Sequence, residues 1–447
     1  MKFKAIVSTV LLCTFFVTIA SGCNISDLGT ENLLRPPKTM GDEAEIEQLI
    51  SETANKSYTL KYPKSGNYRS AIVMSDLDGD GTDEAVAFFR EGDDTSHIHT
   101  LVMFSDNNEW KIASDNVTET ADIDSVDFAD IDGSGTLEIL AGYTTFSTNI
   151  NRLSCYSYTN GKTAEVKAGQ NYTNFYCGDF DADGVDEVMS LLLYTTENEA
   201  SATMLDFSDS EKSLYSKATV AMDPGVVRYK NVVTSDFGSN VVGLVVDGTF
   251  STEELSTQIV YYNSDMSLLR NPLFNEKSKS VTHRSCSVVS TDIDEDGIVE
   301  IPVVTKLPHT KTESDEIVAD KIEWNSFSPT NETTTAKQSM IANFNYGYTF
   351  TMPDSWLSDT VTARLDAQNG TTDFYLWDKN KLGNLLFQIK TFETADWDAG
   401  KASDDYTLIS KDVKYTYTFY NENIDSDYSL SDDEIKTAFS ALTEIVV

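Results

Sequence analysis

The hydrophobic positions of this chain fall into short runs at a repeating distance, and each run stands beside an acidic, glycine-bearing loop. Ile72-Val73, Phe128, Phe175-Tyr176 and Val288-Val289 precede four such loops, while Ala85-Val86, Ile139-Leu140 and Val188-Met189 follow three of them. A further apolar run recurs downstream: Leu101 to Phe104, Leu153 to Tyr158, Met204 to Phe207, Ile259 to Tyr262 and Ile322 to Trp324. Runs this short, bounded by Gly and Asp, predict strands in the order strand, loop, strand, loop, strand, strand. Two places break the pattern. Asp42 with Glu45, followed by Ile46, Leu49 and Ile50, predicts a capped helix over about 41–54. After residue 340 the loops stop, and apolar-aromatic alternation appears in Tyr346 to Met352, Phe374 to Trp377, Leu385 to Ile389 and Tyr415 to Phe419. Ser431 with Glu434 then predicts a terminal helix with Ile435, Phe439 and Leu442 on one face.

The acidic loops carry the chemistry. They begin at Asp76, Asp130, Asp179 and Asp292, and a degenerate copy, Ser235 to Asn240, lies between the last two. With that copy placed at 236, the intervals are 54, 49, 57 and 56 residues, a period that marks a repeat architecture. Calcium takes six to eight oxygens at flexible distances, and alternating acids on a tight loop deliver them to one point. The candidate ligands are Asp76, Asp78, Asp80, Thr82 and Glu84; Asp130, Asp132, Ser134, Thr136 and Glu138; Asp179, Asp181, Asp183, Val185 and Glu187; and Asp292, Asp294, Asp296, Ile298 and Glu300. Thr82, Thr136, Val185 and Ile298 enter through their backbone carbonyls, and glycine at the sixth place permits the sharp turn. The closing acid stands at position 9, whereas an EF-hand places it at 12 between two helices. Three to four structural Ca2+ ions are expected. The first, third and fifth repeats should bind best, the second less well because Ser134 replaces an aspartate, and the fourth should be empty.

These loops resemble those of FG-GAP/VCBS repeats, in which the calcium loop joins the first two strands of a propeller blade. The resemblance covers about residues 65–330 and implies a β-propeller of five blades, with six or seven as alternatives. The early strand Tyr58 to Tyr62 would complete the last blade and close the ring. The C-terminal strands, the Pro353-Asp354-Ser355-Trp356 turn and the final helix are similar to the PsbP/Mog1-type fold. The expected fold class is therefore mainly β: a propeller followed by a small α+β domain.

At the other end, Lys2 and Lys4 precede the apolar run Ala5 to Ala20 and then Ala20-Ser21-Gly22-Cys23, the pattern of a secretory leader. The last four residues resemble a bacterial lipobox, which implies lipidation at Cys23, extracytoplasmic location and attachment to the cell membrane by the lipid anchor. With the Pro36-Pro37 tether, the overall resemblance is to VCBS-repeat lipoproteins of anaerobic Gram-positive bacteria. The expected boundaries are 1–22 signal peptide, 23–40 tether, 41–56 helix, 57–330 propeller, 331–339 linker and 340–447 α+β domain.

Composition narrows the function. The net charge of −39 opposes binding to nucleic acid or to an anionic surface and favours divalent cations. Cys155, Cys177 and Cys286 make no framework, although one pair can bridge in an oxidising exterior. The four histidines, His97, His99, His283 and His309, form no recognised catalytic motif; His97 and His99 would share a face in an extended segment. Trp324, Trp356, Trp377 and Trp397 are candidates for sugar stacking or for core packing. The leading expectation is a monomeric, calcium-stabilised binding or scaffolding module for an envelope protein or an extracellular glycan. The alternatives are a carbohydrate-active or other hydrolase with its site in a propeller channel, and an accessory subunit that docks through its C-terminal domain.

Overall fold

The computed structural model describes residues 41–442 except 147–149, 251–253, 276, 279, 312, 315, 316 and 402–404. The leader, Cys23 and the tether lie outside the described residues. Helix α1 (Asp42–Thr53) is followed by six separate antiparallel sheets in chain order. The N-cap of α1 is Gly41, with no side-chain cap, so the expected Asp42–Glu45 capping box is not formed.

The first sheet runs Tyr58–Leu60, Glu84–Glu91, His97–Asp106, Glu109–Glu119, with Ile72–Ser75 also on Glu84–Glu91. The second has Asp122–Ala129, Glu138–Thr144 and Asn151–Thr159, the last flanked by Lys162–Val166 and Asn171–Tyr172. The third is Asn174–Gly178, Glu187–Leu192, Ser201–Ser208, Ser213–Ala221, and the fourth Arg228–Asp236, Val242–Thr249, Leu255–Asn263, Leu268–Arg270. The downstream apolar runs fall where the pattern predicts, each in the strand that follows the post-loop strand.

Period-two alternation stacks these sheets, because neighbouring residues of a strand face opposite sides. In the strand after the first loop, Ala85, Ala87 and Phe89 meet Ile46 and Ile50 of α1 and Ala54 just past it, while Val86 and Phe88 pack with Ile139 and Ala141 of the second sheet. Leu140 turns the other way, onto Val188 of the third sheet. Met189 and Leu191 then meet Leu244 and Val246 of the fourth, and Val245 meets Ile301 of the fifth. Both faces of these strands are covered, which is why the runs read as continuously apolar.

The expected propeller is not formed. The six sheets are separate, and none closes or curls. The outer face of the first sheet is covered by α1, and no apolar cluster among the described residues joins it to the fifth sheet. Tyr58–Leu60 does not complete the last unit: Tyr58 pairs with Glu91 and Leu60 with Phe89, on the first sheet itself. The reason is local. The strand leaves α1 after a short turn, its Tyr58 and Leu60 side chains pack on the α1 cluster, and Ile72–Ser75 leaves the far end of Glu84–Glu91 free for pairing.

Near the C-terminus the chain does not divide where expected. Residues 331–339, anticipated as a linker, lie largely in strand Thr333–Asn343 of the fifth sheet. That sheet runs Ile301–Lys306, Asp320–Ser328, Thr333–Asn343, Tyr348–Thr351, Phe439–Ala441. Val288-Val289 forms no strand; a bridge between Thr291 and Glu300 stands in its place. The sixth sheet is ordered Val361–Asp366, Thr371–Asp378, Lys381–Glu393, Tyr415–Asn421, Thr407–Lys411. Trp356, Phe350, Phe374 and Phe387 fill the space between fifth and sixth sheets. A five-residue helix α2 (Thr394–Asp398) and α3 (Asp432–Ala438) complete the region. The Ser431–Glu434 capping box is present. Phe439 is not on that helix, because the chain turns extended to pair with Phe350.

Candidate metal centres

Four loops connect the sheets' leading strands or bridge to the strands that follow, and they share one set of bonds. The sixth-position glycine donates to the first aspartate: Gly81 to Asp76 at 2.9 Å, Gly135 to Asp130 at 2.9 Å, Gly184 to Asp179 at 3.0 Å and Gly297 to Asp292 at 2.8 Å. Each glycine has φ between 83° and 90°, the left-handed region that a side chain resists. The seventh N–H bonds the fifth side chain: Thr82 to Asp80, Thr136 to Ser134, Val185 to Asp183 and Ile298 to Asp296. One oxygen of the closing glutamate accepts from the second N–H: Leu77 to Glu84, Ile131 to Glu138, Phe180 to Glu187 and Ile293 to Glu300, at 2.9–3.1 Å.

These bonds bring carboxylates together. In each loop the acids at positions 1, 3 and 9 (Asp76, Asp78, Glu84; Asp130, Asp132, Glu138; Asp179, Asp181, Glu187; Asp292, Asp294, Glu300) place an oxygen apiece within 4.8 Å of the others. The four clusters can coordinate a divalent cation such as calcium. The residues fit that ion. Asp130 Oδ1, Glu138 Oε1 and Glu300 Oε1 are buried with no hydrogen-bond partner among the described residues, which is costly for a carboxylate unless a cation meets it. Burial pushes Glu84 and Glu138 up to about 7 and Glu187 up to about 8, with the neighbouring aspartates adding to the rise, and Glu300 moves the same way.

The sequence missed two participants. The second-position residue is an apolar peg: Leu77, Ile131 and Phe180 are buried and pack against the next sheet, as does Phe237 in the degenerate copy. An apolar residue between acids at positions 1 and 3 was the available signal. The loops also bond to one another, since Leu137 N–H donates to the Leu77 carbonyl at 2.7 Å and Asp186 N–H to the Asp130 carbonyl at 3.0 Å. The other participant is Lys217, on the last strand of the third sheet. Its ammonium contacts Asp181 and lies 2.9 Å from Asp206 and 4.0 Å from Glu187. Its distance in sequence from the loop hid it.

In the degenerate fourth copy Asp236 pairs with Val242, whereas in the third loop Gly178 pairs with Glu187, so the connection is three residues shorter and has no closing acid. His97 bonds Asp94 at 2.8 Å and His99 bonds Asp115 at 3.0 Å, so the two imidazoles serve different aspartates. Trp324 and Trp356 are fully buried and present no face to a sugar. Trp377 is half-buried and lines a 500 Å3 cleft with Lys306, His309, Asp359, Asp378 and Asn380. Cys155, Cys177 and Cys286 are free thiols, and burial pushes all three up.

No family model matches the chain, and no curated protein does. Among solved structures, a protein from Lactobacillus plantarum is similar at 10% identity and TM-score 0.29, over 73% of this chain and 86% of that one. Saccharomyces cerevisiae Sqt1 is similar at 10% identity and TM-score 0.30, over 82% and 98%. The exotype rhamnogalacturonan lyase YesX is similar at 10% identity and TM-score 0.28, over 67% and 62%. At these values the likenesses carry neither fold nor function. No helix among the described residues is long and apolar enough to cross a membrane.

Proposed function

We propose that the chain is a calcium-stabilised binding or scaffolding module of the cell envelope, exported and anchored through a lipid on Cys23. The observation that carries this reading is the set of four acid clusters at the sheet junctions, whose closing glutamates are buried. Where a loop takes the ion, its ligand set also includes the fifth side chain (Asp80, Ser134, Asp183 or Asp296) and the carbonyl of Thr82, Thr136, Val185 or Ile298. In the first and second loops the peg and the acids are fixed together, so an ion that gathers the acids also holds the peg against the next sheet. The function of the metal is thus structural, and the stacked sheets are the platform.

The test is thermal unfolding with excess calcium and with a chelator. A site at 100 times its Kd adds about 2.7 kcal/mol, so the chelated protein should melt several degrees lower. An unchanged Tm overturns the reading. For the partner, the Trp377 cleft favours a glycan, since an aromatic face beside polar side chains is the chemistry of sugar recognition. Trp377→Ala should abolish retention of the chain on an extracellular polysaccharide without altering its calcium-dependent melting. Retention unaffected by the substitution removes the cleft as the glycan site.

A further inference from the structure

The four acid clusters are not equivalent in what faces the closing glutamate. In the second and fifth repeats it has an oxygen with no protein partner: Glu138 Oε1 and Glu300 Oε1 are buried, and their residues are 1% and 0% exposed. In the third repeat the corresponding side of the cluster holds a cation already. Lys217 Nζ reaches Asp181, stands 2.9 Å from Asp206 and comes within 4.0 Å of Glu187 Oε1. The lysine is anchored from above by the Tyr262 ring, 5.7 Å away. An ammonium supplies one positive charge where Ca2+ supplies two, but it needs no ion from solution and repels one. The lysine in the fifth repeat, Lys337, touches only the outer Asp296 at 3.2 Å and leaves Glu300 unmet.

We infer that Lys217 is a built-in counter-cation that replaces calcium in the third loop, so that the loops of the second and fifth repeats bind calcium and the third does not. This rests on the calcium reading above. It reverses the ranking that acid count alone suggests, because Ser134 subtracts one ligand from the second loop while Lys217 opposes the ion in the third. Calcium then acts unevenly along the stack: the junction of third and fourth sheets, where Phe180 packs, is held at any calcium concentration, and the junction of second and third sheets, where Ile131 packs, depends on the ion.

Calorimetric titration of the metal-stripped full chain with calcium tests this. Glu138→Gln and Glu300→Gln should each remove one bound ion, and Glu187→Gln should remove none. Lys217→Gln should add one ion to the stoichiometry, and Lys217→Arg, which keeps the charge, should leave it as in the parent. Loss of an ion in Glu187→Gln, or an unchanged count in a Lys217→Gln protein with parental circular dichroism, overturns the inference alone. If Lys217→Gln fails to fold, the Glu187→Gln comparison decides by itself. A parent chain that binds no calcium overturns the calcium reading and this inference with it.

Discussion

Gly184 has φ 90° with open space where a Cβ would go, so a substitution there meets strain and no clash. Gly184→Ala should cost about 1–2 kcal/mol, the left-handed penalty for an L-residue, read as a shift of the denaturation midpoint. Gly142 is the opposite case. Its φ is ordinary, but a Cβ would stand 1.7 Å from the Tyr172 hydroxyl, which itself bonds Asp124 at 2.8 Å. Gly142→Ala should therefore destabilise more than Gly184→Ala, and pairing it with Tyr172→Phe should recover part of the loss. Charge acts locally as well. Hydrogen bonding to Arg364 at 2.8 Å holds Glu313 down at about 2, below its ordinary value. A depressed acid stabilises the fold above its unfolded pKa, and that stability fades as pH falls from about 4.5 toward 2. Glu313→Gln should flatten the acid limb of the stability profile and leave the neutral region slightly lower.

At the scale of elements, each acidic loop gathers three carboxylates that can meet a cation, and in the first three loops the second residue also packs against the next sheet. Phe180 sits with Leu244, Val246 and Val260 between third and fourth sheets, so Phe180→Ala should cost about 3–5 kcal/mol. Hydrogen exchange should quicken first in Glu187–Leu192 and Val242–Thr249; uniform loss across the chain would assign the peg no local role. Helix α1 has its own task. Ile46, Ile50 and Ala54 close the exposed face of the first sheet, and Ile50→Ala should cost about 2–5 kcal/mol. The helix was legible from Ile46, Leu49 and Ile50 at helical spacing. Its cap was not, because Gly41 and the chain's approach decide which group meets the first N–H groups. The Ser431–Glu434 box was legible because both members lie within one turn and need nothing else.

Across the whole molecule, the repeat is a stack of sheets whose order follows the chain. Alternate residues of the strand after each of the first three loops face the sheets on either side, several strands and loop pegs contribute to every junction, and α1 and the sixth sheet lie at the ends. Stability is then approximately a sum of sheets and junctions, as in other stacked repeats. Calcium removal should loosen the metal-dependent junctions before the fourth sheet, where the Arg284–Asp247 pair is fully buried and joined by Ser290 and Thr257 without any metal. Limited proteolysis in chelator should reflect that order.

The sequence by itself determined most of the strands beside the acidic loops, the loops themselves and the acids within them, though not the loss of a strand at Val288-Val289 or the strand Thr333–Asn343. Those features depend on residues fewer than ten positions apart, where alternation, a left-handed glycine and convergent carboxylates leave one local solution. The tertiary structure decided the rest. Whether five similar sheets close or stack depends on what covers the first one, and here α1 and Tyr58–Leu60 take that place. Whether a cage needs an ion depends on a charge delivered from another strand, as Lys217 is, 30 residues past Glu187. Local physics writes the loop, and distant residues set the field in which it works.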